Sequence, residues 1–461
     1  MRPELRRAPR LLLTTALIVC GFASTAGAQI TAVTASAVRL VAPPDSTQEQ
    51  VLSYGLGFPF QVSPDRAALF CNVRVEGVAT FDYENGTDVI IFNSLAGIGA
   101  AEPVTISRNE RPTDADGTQR IVVKFPVIGG FVPLGALRAD GSPHPHAGTG
   151  FGICQAISFP VDEAGHFTWQ SEYIHRCEVH QFSYDGERFA AVRSSTPERT
   201  HPTVGETAWV ISAPGITNVI PDGDDLLQAV SAGDSSRSAA GVVRWSRARG
   251  TWEPVEFWPV TPPGESWAEP SLVRDADGAL LFSARGSGGD RLAEVRVWRR
   301  YDGGLQWRLV FSTPDVRVLH LEEGGPEWRQ TLSAPGAHSP GPISIGRAAD
   351  GTPYIGANLP DSGRETLCLW PLNEARAGLL APITARAARE EFGAPSTESR
   401  WMVDHPSGAM VRLSDGEWHG LLAYRILDSA EHRGGAPSAR TGCYVEEVLS
   451  AGPAIPAWRF E

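Results

Sequence analysis

The sequence predicts an all-β chain folded as a β-propeller, with four-stranded antiparallel blades repeated around an axis. Three observations lead there. Apolar runs are short, alternate with polar residues, and are punctuated by Asp-Gly, Pro-Gly and Gly-Gly pairs; 48 glycines and 36 prolines among 461 residues supply the turns. Helical periodicity is confined to one stretch, Leu372 to Phe392, read as a helical insertion. Finally, one hairpin pattern recurs: a polar residue beside a proline or glycine, an alternating strand, a turn, and a second strand.

From the N-terminus, Arg2, Arg6, Arg7 and Arg10 precede the apolar run LLLTTALIVCGFA, and small residues follow at Ala26 and Ala28. This layout predicts a signal peptide over 1–28, a single propeller domain over 29–461, and a secreted or periplasmic location. The run is too short for a comfortable membrane span, and no later stretch is long enough. The formal net charge is −13, and the leader holds four arginines against Glu4, so the remainder is more acidic still. Nucleic acid and anionic membranes are thereby excluded as natural partners. An acidic ligand would need a local cluster of arginines. Of six cysteines, Cys20 belongs to the leader. The remaining five are widely spaced, an odd number compatible with one or two isolated bridges and at least one unpaired thiol.

The repeat carries the functional argument. Its leading residues, His146, His201, Glu269, His338 and His405, follow one another at intervals of 55, 68, 69 and 67 residues. Turns at Asp277-Gly278, Asp350-Gly351 and Asp415-Gly416 separate the two strands of the later copies. Two further periods fit before His146, so the count predicts seven blades, with six as the alternative. The start of a blade's first strand and the end of its second share one face. Glu269 and Arg285 are therefore expected to meet at one rim of the axis, with His146, His201, His338 and His405 on the same rim. Tyr173 or His175, Asn358, and Tyr424 with Arg425 take the positions equivalent to Arg285. Trp267, next to Glu269, is expected to be exposed at this mouth. A separate set, His175, Cys177 and His180, has donors suited to a structural Zn²⁺. Residues 175 and 177 share a strand face, whereas 180 falls on the other unless the strand bulges. No other cofactor is expected.

The segment EPSLVRDADGALLFSAR, Glu269 to Arg285, resembles the sialidase superfamily, in which a Glu opens such a strand and an Arg closes the hairpin. RRYDGGLQW, Arg299 to Trp307, resembles the Asp-box turn of those propellers at Asp302, Gly304 and Trp307, with Arg300 and Gln306 at its usual Ser and Thr positions. The resemblance implies Glu269 as the partner of a nucleophilic Tyr and Arg285 as one clamp on a sugar carboxylate. The strand that would carry that Tyr begins here at His405. A looser resemblance is to secreted propeller lyases that cut uronate polysaccharides, such as ulvan lyases. β-Elimination needs the carboxylate neutralised, a base near neutrality and a proton donor. His146, His405 and Tyr424 fit the acid–base roles, and Arg285, with His338, His201 and Trp267, fits substrate binding. The sequence therefore predicts a carbohydrate-active enzyme on an acidic glycan, acting by β-elimination. A sialidase-like exo-hydrolase and a non-catalytic glycan-binding propeller are the alternatives.

Overall fold

The computed structural model describes residues 29–34, 37–40, 51–75, 86–163, 173–194, 202–204, 209–217, 219–234, 237–286, 295–300, 307–312, 342–359, 364–376, 378–395, 399–431 and 438–455. Among these residues six antiparallel sheets follow one another along the chain. Blade 1 comprises β3 (Val51–Ser63), β4 (Arg66–Val75), β5 (Gly86–Phe92) and β6 (Pro103–Arg108). In blade 2 a split inner strand, β7 (Arg120–Lys124) and β8 (Ile128–Val132), pairs with β9 (Thr149–Pro160), followed by β10 (Ile174–Tyr184) and β11 (Phe189–Arg193). Blade 3 runs through β12 (Val210–Pro214), β13 (Ile220–Asp222), β14 (Asp225–Gly233), β15 (Ser238–Ala248) and β16 (Thr251–Pro259). Blade 4 is β17 (Trp267–Arg274), β18 (Leu280–Gly286), β19 (Val295–Arg300) and β20 (Arg308–Ser312). Blade 5 is β21 (Ser344–Arg347), β22 (Pro353–Asn358), β23 (Thr366–Pro371) and β24 (Ile383–Ala387). In blade 6, β25 (Trp401–Arg412), β26 (Trp418–Asp428) and β27 (Gly442–Ser450) take their fourth strand from the other end of the chain: β1 (Ile30–Val33) pairs with β27, as does β2 (Val38–Arg39). The ring is thus closed by the two ends of the chain sharing one sheet.

Six blades, rather than seven, follow from two features that the period count missed. Residues 30–39 build no blade of their own but complete blade 6. Blade 2 is lengthened by a loop over 133–148, and the His146 copy of the pattern lies inside that loop rather than at a blade start. The Asp-Gly hairpins stand where expected: Gly278, Gly351 and Gly416 have φ of 90°, 87° and 84°, values that need glycine. The predicted helical insertion is corrected. Only α1 (Ala388–Phe392) is helical, because Ile383–Ala387 finds an open strand edge and pairs with β23.

The alternation of each strand fills two cores at once, one on each side of the sheet. Phe58, Phe70 and Phe131 pack between blades 1 and 2, and Phe151, Trp245 and Trp252 between blades 2 and 3. Phe282 and Trp298 pack against Val242 between blades 3 and 4, and Ile345, Ile355 and Leu281 meet between blades 4 and 5. Tyr354, Val403 and Tyr424 fill the space between blades 5 and 6, and Leu69, Ala423 and Cys443 that between blades 6 and 1.

Inner strands of a propeller face the axis and cannot pair with one another, so their backbone groups need other partners. Each seam has one. Gln61 takes both sides of the Arg412 peptide, accepting from its N–H at 2.6 Å and donating to its carbonyl at 2.8 Å. Val127 N–H donates to Thr87 Oγ1 at 2.8 Å, and Gln228 Nε2 to the Ile128 carbonyl at 2.9 Å. Leu272 N–H donates to Thr217 Oγ1 at 2.9 Å and Ile345 N–H to Ser271 Oγ at 2.8 Å. Asn358 Nδ2 donates to the Val403 carbonyl at 2.7 Å. All six side chains are buried. Gln61→Leu keeps the bulk and removes both hydrogen bonds to the Arg412 backbone, and is expected to lower the free energy of unfolding by about 0.5–1.5 kcal/mol for each bond lost. Urea denaturation followed by tryptophan fluorescence reads this; an unchanged midpoint would contradict the role given to the amide.

Candidate active site at the first-strand end of the axis

Two blades carry the same local device. In β17, Glu269 has φ 52° and the register with β18 slips between Ala268 and Ser271. In β25, His405 has φ 53° and the register with β26 slips between Asp404 and Ser407. In each, a β-bulge turns one non-glycine residue into the left-handed region just before a proline. Such a conformation costs about 1–3 kcal/mol per residue and persists only where the surroundings hold it. The surroundings here are a buried serine two positions on. The Ser271 and Ser283 hydroxyls are 2.7 Å apart, and Ser407 is fully buried at the matching place. The result is that Glu269 and His405 are re-aimed at the same end of the axis, two blades apart.

The polar partners of the two are different. Arg285 Nε donates to Glu269 Oε2 at 2.7 Å, closing the open end of the hairpin as the register requires, since Arg285 pairs with Ala268. Both side chains retain partial exposure, 12% for Arg285 and 24% for Glu269. Asp404, by contrast, is fully buried. It accepts two hydrogen bonds from Arg425, Nε to Oδ1 at 2.9 Å and Nη2 to Oδ2 at 3.0 Å, and a third from Arg364 Nη1 at 3.2 Å. His405 Nδ1 lies 2.9 Å from Asp404 Oδ1. Burial by itself would raise the Asp404 carboxyl; the Arg425 charge, and then His405, overcome it and hold the group well below the usual carboxylate range. An ionised Asp404 accepts from Nδ1–H of His405, which leaves the Nε2 lone pair facing away from the carboxylate. Chemically, this end of the axis offers one oriented imidazole and one carboxylate beside a guanidinium.

The remaining sequence expectations are distributed elsewhere. His146 follows β8 in the 133–148 loop, at the far end of the inner strands. There its ring packs edge-on to Trp252 at 5.4 Å and near His144 at 5.6 Å, and burial lowers its basicity. It does not join Glu269 and His405. Tyr424 points away from Arg425 into the core between blades 5 and 6. Its hydroxyl donates to Glu446 Oε1 at 2.7 Å and accepts from Arg386 Nε at 2.8 Å, and Tyr444 stacks on it. The strand alternation that sets Arg425 against Asp404 puts Tyr424 in the core. Trp267 is 6% exposed: its Nε1 donates to Glu265, and Trp298 and Arg296 cover its ring. The expected metal set is split. Cys177 Sγ donates to the Ser212 carbonyl and His175 meets Gln155, whereas His180 lies on the other face beside Glu178, where burial drives its pKa down to about 4. Among the described residues no group of three His, Cys, Asp or Glu is placed to hold a metal ion. His201, His338 and Asp302, Gly304 and Gln306 of the Asp-box lie outside the described residues, as does the 1–28 leader. Asp404 and Arg364 belong to no recurring position of the hairpin pattern. The parallel of VDHPS with WAEPS pointed to position 404, one residue before the bulge.

An axial cavity lies further along the same strands, lined by Phe60, Phe131, Leu272, Arg274, Arg347 and Met410. Most of its wall is apolar, and Arg274 is engaged with Pro221, Asp222 and Gly278. Glu269 and His405 are not among its lining residues; they precede them on β17 and β25.

Solved structures similar to this chain include sialidases. Trypanosoma rangeli sialidase superposes with a TM-score of 0.46 at 12% identity over 92% of this chain, which spans 60% of that protein. The intramolecular trans-sialidase from Ruminococcus gnavus gives 0.46 at 11% identity, covering 89% of this chain and 97% of that one. An α-L-arabinofuranosidase from Lactobacillus brevis gives 0.38 at 13% identity, over 75% and 96%. No protein-family model and no curated protein sequence matches the chain.

Replacing Asp404 by Asn would leave Arg425 buried without its counter-charge, and is expected to cost about 3–5 kcal/mol of stability in urea denaturation. Because the folded-state pKa of Asp404 lies below its ordinary value of 3.8, its contribution is complete above that value and is lost as pH falls through the depressed one. The variant should therefore lose part of the acid limb of the stability profile; an unaltered limb would refute the ion-pair account.

Proposed function

We propose that this protein is a carbohydrate-active enzyme working at the first-strand end of the propeller axis, as a sialidase-like exo-glycoside hydrolase on a glycan whose terminal sugar carries a carboxylate. The observation that carries the reading is the Glu269–Arg285 pair at 2.7 Å, held by a strained bulge at the mouth. It is the pair that the resemblance to sialidases implies. His405 stands where that family would have its tyrosine. Oriented through Nδ1 by Asp404, it is the group positioned to move a proton at Nε2. Asp404 is a positioning residue, and Arg285 supplies positive charge beside Glu269.

A second reading, β-elimination on a uronate polysaccharide, is favoured by His405 alone: an imidazole fixed by a carboxylate suits abstraction of the proton beside a sugar carboxylate. A cleaved leader over 1–28, as the sequence pattern suggests, would put the enzyme outside the cytoplasm in either reading. No helix among the described residues is long and apolar enough to cross a membrane.

Turnover of a fluorogenic sialoside, run beside uronate polysaccharides followed by the ultraviolet absorbance of an unsaturated product, distinguishes the two. Glu269→Gln and His405→Ala are each expected to lower kcat by about 10²–10⁴-fold on the substrate that is turned over, with the fold intact by circular dichroism. Glycan binding without turnover of either class would make the mouth a binding site and overturn the enzymatic reading.

A further inference from the structure

The five described cysteines are all buried. Three of them are isolated from one another. Cys154 belongs to the core between blades 1 and 2, Cys177 to that between blades 2 and 3, and Cys368 to that between blades 4 and 5. Cys71 and Cys443 share a single core, the one between blade 6 and blade 1, where the ring closes.

Their juxtaposition can be read from the register. Cys71 on β4 pairs directly with Gly57 on β3. Directly opposed residues of an antiparallel pair project to the same face, with Cβ positions about 4.5–5.5 Å apart. Gly57 has no Cβ, and a carbon built there would fall 2.6 Å from Cys443 Sγ. The sulfur of Cys443 therefore occupies the side-chain space of the residue that faces Cys71. The glycine is what admits it. Burial raises the Cys71 thiol well above its ordinary range, and the Cys443 thiol beside it adds to the rise.

We propose that Cys71 and Cys443 form a disulfide that fastens the first blade to the last. The two thiols give up two protons and two electrons as the S–S bond forms. A disulfide oxidant, either oxidised glutathione or a protein dithiol oxidoreductase in its disulfide form, takes the electrons and is reduced to two thiols. Since only the thiolate attacks a disulfide, and both sulfurs are buried in the closed ring, the reaction belongs to the folding chain, as blades 6 and 1 come together and before their seam packs shut against the oxidant. The folded, reduced ring resists it. A bridge between residues so distant in sequence restrains the unfolded chain strongly and stabilises the closed ring.

The test refolds the full chain from guanidinium either with a glutathione redox couple or with dithiothreitol, then counts thiols under denaturing conditions and maps linked peptides by mass spectrometry. The expected result is two fewer titratable thiols after oxidative refolding, a linked peptide joining Cys71 to Cys443, and a higher thermal midpoint that dithiothreitol reverses after denaturation. Cys443→Ala should restore the Cys71 thiol to the count and abolish the difference in midpoint between the two refolding conditions. Should that variant fail to fold, the peptide map of the unaltered chain decides by itself. An unchanged thiol count, or a bridge between other cysteines, would overturn the proposal.

Discussion

The constraint on which the molecule depends is the unpaired inner edge of each blade. A strand facing the axis has backbone donors and acceptors on its outer edge that its own sheet cannot pair, and burying them unsatisfied would be expensive. The chain answers with one buried amide or hydroxyl at every seam: Gln61, Thr87, Thr217, Gln228, Ser271 and Asn358. These side chains join polar groups that the hydrophobic cores between blades cannot satisfy. They also set how far each blade is rotated from the next, because a hydrogen bond to a neighbour's peptide is directional where apolar packing is not.

That rigidity is what makes the strained bulges at Glu269 and His405 sustainable. Neither residue would adopt its left-handed backbone in an isolated hairpin. Ser271 belongs to both arrangements: it lies beside the blade 4 bulge and accepts from the peptide of blade 5. Strain at the mouth is thus offset by hydrogen bonds at the seam. The same logic extends to charge. Asp404 is fully buried, yet Arg425, Arg364 and His405 surround it, so its ionisation is assured and the imidazole keeps one orientation.

A second ionic cluster shows how the same residue types serve packing instead. Lys124, with 1% of its side chain exposed, lies 3.1 Å from Glu110 and is bonded to Glu178, while Arg176 and Arg193 reach the same two carboxylates. His180 stands beside this group, held neutral by burial. Its neighbours explain why a histidine and a cysteine three positions apart on one strand make no metal site: the pleat sends one into charge and the other into the apolar core.

The sequence by itself determined the strand periodicity, the Asp-Gly hairpins and the proximity of Glu269 to Arg285, because these depend on near neighbours in the chain, and the four-stranded repeat, because its hairpin pattern recurs at intervals of 68, 69 and 67 residues. Asp277-Gly278 with alternating flanks leaves few other local conformations. The tertiary structure alone decided the blade number, since nothing local to Ile30–Val33 says that it will close blade 6 against β27. It decided that His146 lies in the 133–148 loop, since a histidine beside a proline reads alike in a long loop and at a strand start. It also decided which of Tyr424 and Arg425 meets the axis: strand alternation guarantees that they part, but only the packing of blade 5 against blade 6 says which way each one turns.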